Sequence, residues 1–95
     1  MEEHKLAEGR KALLVQIEGD IEERRLDIQL LEQTEAVSRA GIDLWQRMGE
    51  KQRADRAKED LEGAISSLAL FRSELATLRA ARQIIAALVP ECASP

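Results

Sequence analysis

The sequence predicts an all-α fold: a long antiparallel helical hairpin of coiled-coil type that completes a four-helix bundle by dimerising. Three observations carry this. A 3.5-residue apolar repeat runs through the second half, a similar repeat runs through the first, and Pro occurs only at 90 and 95 in 95 residues, so no ring interrupts a helix before residue 89. Abundant Ala, Leu, Glu, Arg, Gln and Lys with no Tyr fits long helices rather than sheets.

The first arm is expected over about 3–48. With Ala7 as heptad position a, the seam reads Ala7, Arg10, Leu14, Ile17, Ile21, Arg24, Ile28 and Leu31, then meets Glu35. An apolar stripe resumes one residue earlier as Leu30, Thr34, Val37, Gly41, Leu44 and Met48. A straight helix drifts about 20° per heptad against a 3.5 repeat, so the sequence suggests one stripe that slips along an unsupercoiled helix.

Two glycines are acceptable helix ends, Gly41 and Gly49. Reversal near 49–51 pairs seams of matching length, with Leu68 beside Leu31, Phe71 beside Ile28, Leu78 beside Ile21 and Ile85 beside Leu14. It also brings Arg82 near Glu18, Arg79 near Glu22, and Arg72 near Asp27 and Glu32. The second arm is then about 52–89, with a tail over 90–95. From Leu61 as position a, its seam reads Leu61, Ala64, Leu68, Phe71, Leu75, Leu78, Arg82, Ile85 and Val89. The preceding turns offer only Ala54 and Ala57 to a core. One domain over 1–95 results, and a chain this short buries only about 60–65% of its unfolded surface unless a partner adds to the core.

More apolar surface is present than one hairpin hides. Leu13, Leu14 and Val15, with Leu70, Ile84, Ile85, Leu88 and Val89, are therefore expected to form an oligomer interface at the end far from the turn. The partner is the chain itself, as a homodimer, or another helical protein.

Charge narrows the partner classes further. The net charge is −4, yet residues 1–35 carry −5, residues 36–58 carry +3 and the remainder −2. The basic island surrounds the turn, and Trp45, Arg47, Lys51, Arg53 and Arg56 form a candidate partner-binding tip. Nucleic acid is a weaker expectation there, because only Trp45 could stack on a base and acids interleave with the bases.

No enzyme chemistry is legible. Arg10, Arg24 and Arg82 on seam positions could line an anion site at a dimer interface, making the chain a small all-α enzyme or anion-binding protein, or pack their stems and pair with Glu18, Glu22 or Asp27. His4 is the one histidine and Cys92 the one cysteine, so neither a metal site, a cofactor nor an internal disulfide is expected. No apolar run approaches the length of a membrane span, and Met-Glu-Glu-His-Lys lacks the pattern of a Sec signal. The expected function is an adaptor, assembly factor or small chaperone of the bacterial or phage cytoplasm, working through helix faces.

Overall fold

A computed structural model describes residues 2–88, with side chains from Lys5 onward except Ala7. The His4 side chain, Val89 and the 90–95 tail with Cys92 are outside what is described. Helix α1 spans Glu2–Arg47 and helix α2 spans Lys51–Leu88. They lie antiparallel as a rod measuring 71 × 22 × 14 Å.

The chain reverses in three residues, and Gly49 makes this possible. Its φ of 73° is left-handed, a conformation that costs a residue with a Cβ about 1–2 kcal/mol. The Glu50 amide donates to Trp45 O at 2.8 Å and the Gly49 amide to Gln46 O at 3.2 Å, the paired bonds of a Schellman end. Glu50 then opens α2, its carbonyl accepting from the Ala54 amide at 3.0 Å. Gly41, the other candidate, lies within α1.

Across the hairpin, facing residues have numbers adding to about 98–100: Arg24 with Glu74, Trp45 with Arg53, Glu18 with Arg82. The seam is thin. Ile28, Leu68 and Leu75 form its centre, with Ile21, Leu31 and Phe71 packed against them, and Leu68 is only 2% exposed. Ala54 and Ala64 are buried toward the turn, where small side chains let the helices close around the reversal.

The expected slip in α1 does not occur. Along the seam its buried and half-buried residues run Leu14, Ile17, Ile21, Arg24, Ile28, Leu31, Glu35, Ser38, Ile42 and Trp45, one uninterrupted heptad phase, with Asp20, Asp27 and Gly41 half-buried at its flank. Glu35 is tolerated because its carboxylate reaches Arg39 Nη2 at 3.0 Å at the seam's margin. Two helices that wrap around each other hold a 3.5 repeat without drift, so the residues taken for a displaced seam are a separate stripe.

Candidate interaction surface

That stripe occupies heptad positions c and g. In an antiparallel pair the g positions of both helices share one face, and the groove lined by Asp20, Glu23, Arg24, Ser73, Glu74 and Thr77 shows this directly. Leu30, Val37, Leu44 and Met48 are 48–72% exposed along it. Thr34 joins them in character, since its hydroxyl donates to Leu30 O at 3.1 Å and its hydrogen bond is met within the helix. Leu70 is exposed on α2 beside this group, and Leu6, Leu13, Ile84 and Leu88 form a second exposed group near the open end.

Between the two groups the face turns acidic, with Asp20, Glu23, Asp27 and Glu74. Arg24 reaches into this band from the seam: its Nε is 2.6 Å from Glu74 and its Nη1 2.9 Å from Asp27. Its guanidinium also lies 4.8 Å from the Phe71 ring centre. Desolvation works against its charge, but the carboxylates of Glu74 and Asp27 more than offset this and hold its pKa above the ordinary value.

The other face, built on positions e and b, is mostly charged. Arg25 pairs with Glu22 at 3.1 Å and Arg82 with Glu18 at 3.4 Å, and Glu32, Arg72 and Arg79 are exposed alongside. Val15 and Ile65 are its exposed large apolar residues.

The residues proposed from sequence therefore divide. Leu13, Leu70, Ile84 and Leu88 lie exposed on the c/g face, Val15 on the opposite face, and Leu14 and Ile85 half-buried in the hairpin's own seam. Val89 is outside the described residues. At the tip, Arg53 stacks 4.8 Å from the half-buried Trp45 ring, and Arg47 is held by Asp43 at 3.1 Å on its own helix. Lys51 and Arg56 are exposed, with Asp55 and Glu59 beside Arg56 in a shallow groove.

The three seam arginines are spread along the rod and engage carboxylates or backbone. Arg10 donates to Leu88 O at 3.3 Å, meeting a helix-end carbonyl where α2 has no basic residue in its last turn. Sequence inspection missed Leu6, Leu26, Leu30, Val37, Leu44, Met48 and Ile65 as surface residues. The signal for four of them was present as the c/g repeat and was assigned to the wrong seam.

Among the described residues no cluster of His, Cys, Asp or Glu could hold a metal ion, and no helix is long and apolar enough to cross a membrane. No family model matches the chain, and searches of characterised proteins and of solved structures return no match.

Proposed function

We propose that this chain is a non-enzymatic protein–protein interaction module, an assembly factor, adaptor or small chaperone whose working surface is the c/g face. The observation behind this reading is that Leu30, Val37, Leu44 and Met48 stand exposed at heptad spacing beside a seam that is already filled. Large apolar residues at that spacing supply a ready packing surface for another helix, and covering them removes apolar area from water at about 25 cal/mol per Å². The opposite, charged face gives solubility and little binding energy.

A photo-cross-linking residue in place of Val37, and separately in place of Gln29 on the e/b face, tests the reading in cells. The expected result is a defined protein adduct from position 37 and none from position 29. Absence of an adduct at 37, or equal smears from both positions, would overturn it.

A further inference from the structure

We infer that the turn half of the c/g face is covered by a second copy of this chain, docked antiparallel with α1 against α1 and α2 against α2. This rests on the interaction reading above and names its partner.

Over residues 30–48, α1 carries two seams. The a/d seam packs on α2, and the c/g stripe is turned about 100° from it around the helix. That is the angle between neighbours when four helices pack as a square, so a helix of this kind has places for two partners. One is α2, and the other is missing from the hairpin.

The stripe is complementary to itself when reversed. In an antiparallel pair a position of one kind faces a position of the other, as Leu14 faces Ile85 in the hairpin. Applied to the stripe, the same rule sets Leu30 against Met48 of the second copy, Thr34 against Leu44 and Val37 against Gly41, each occurring twice. Long side chains meet at the ends, and the β-branched Val37 meets a residue with no side chain at the middle. All six positions are uncharged, and the run stops at Asp27 on one side and at the turn on the other.

Gly41 is compatible with this. A Cβ there would meet Ala57 Cβ and Trp45 Nε1 at 3.7 Å, ordinary contact, and no positive φ requires glycine. The chain's own packing therefore does not explain a mid-helix residue that costs about 1 kcal/mol relative to Ala. A close approach of Val37 from a second copy would use it, although Gly9, Gly19 and Gly63 have no packing reason within the chain either.

α2 places its own reversal centre close to that axis. The stripe on α1 reverses about residue 39. On α2 the c and g positions facing the same way in this half are Arg53, Arg56, Asp60, Gly63 and Ser67. Reversal about residue 58 sets Arg56 against Asp60 of the second copy and Arg53 against its Gly63. Across the hairpin residue 39 faces residues 59–61, so the two reversal centres agree to within about 5 Å at 1.5 Å per residue. Docking with the same ends together is disfavoured. It would put Leu30, Val37 and Leu44 opposite Ser67, Asp60 and Arg53, and the acidic band of Asp20, Glu23 and Asp27 opposite Glu74.

Light scattering of the purified chain is expected to give a dimer. Val37→Glu should weaken it by at least about 100-fold, because a charge would be buried, while Val15→Glu and Leu88→Glu leave it dimeric. Gly41→Ala should weaken the dimer by about tenfold through overpacking. The same change, made in the Val37→Glu background, should raise the thermal midpoint of the hairpin. Nitroxides at Gln52 in a Cys92→Ser background should lie roughly 30 Å apart across the dimer, and those at Ala12 about 80 Å apart, at 1.5 Å per residue. A monomeric purified chain, a dimer broken by Leu88→Glu but not Val37→Glu, or short Ala12 distances would each overturn the inference. Monomer together with a foreign adduct at Val37 would do so while leaving the interaction reading intact.

Discussion

Leu68 and Gly49 show how much single residues carry in a core one seam thick. Leu68 is the most deeply buried large side chain, and its neighbours Ile28 and Leu75 belong to the same small cluster. With no second layer to collapse inward, Leu68→Ala should cost about 3 kcal/mol, read as a lowered urea midpoint with helicity retained at zero denaturant. Gly49 acts through backbone instead. Gly49→Ala must adopt a φ of 73° and should cost about 1–2 kcal/mol. A loss well below that would mean the reversal relaxes to another turn, which near-ultraviolet circular dichroism of Trp45 would register.

The helices themselves were legible at once, because composition, the absence of internal Pro and a 3.5 repeat all agree. The pairing was legible too, through matching seam lengths and the opposition of Arg82 to Glu18, now 3.4 Å apart. What the sequence hid was the allocation of stripes in the later part of α1. Two apolar series one residue apart resemble a single drifting one, and only the partner helix decides between them by burying Ser38 while leaving Val37 out. The interface residues suffered from a related ambiguity, since an all-round apolar run such as Ala12–Val15 gives no direction until the hairpin assigns Leu13 and Val15 to opposite faces. Glycines off both seams are simpler. Gly19 has nothing within 4 Å of where a Cβ would stand, so Gly19→Ala should stabilise the hairpin by about 1 kcal/mol in denaturant unfolding.

For the whole molecule, the rod has one closed end and one open end, and its buried residues are not evenly spread. Ala54, Ala64 and Leu68 are buried in the turn half and centre, whereas the seam residues Leu14 and Ile85 near the open end are only half-buried. Native-state hydrogen exchange should therefore be fastest over residues 5–13 and 80–88 and slowest around Ile28 and Leu68. Uniform protection along both helices would contradict this. The tight reversal at Gly49 has a kinetic consequence as well. Trp45 and Arg53 meet across a loop of a few residues, while Arg10 and the Leu88 carbonyl are separated by 78 positions. Loop-closure entropy grows with the logarithm of that separation, so the two helices should zip from bend to tips, each turn of helix shortening the search for the next.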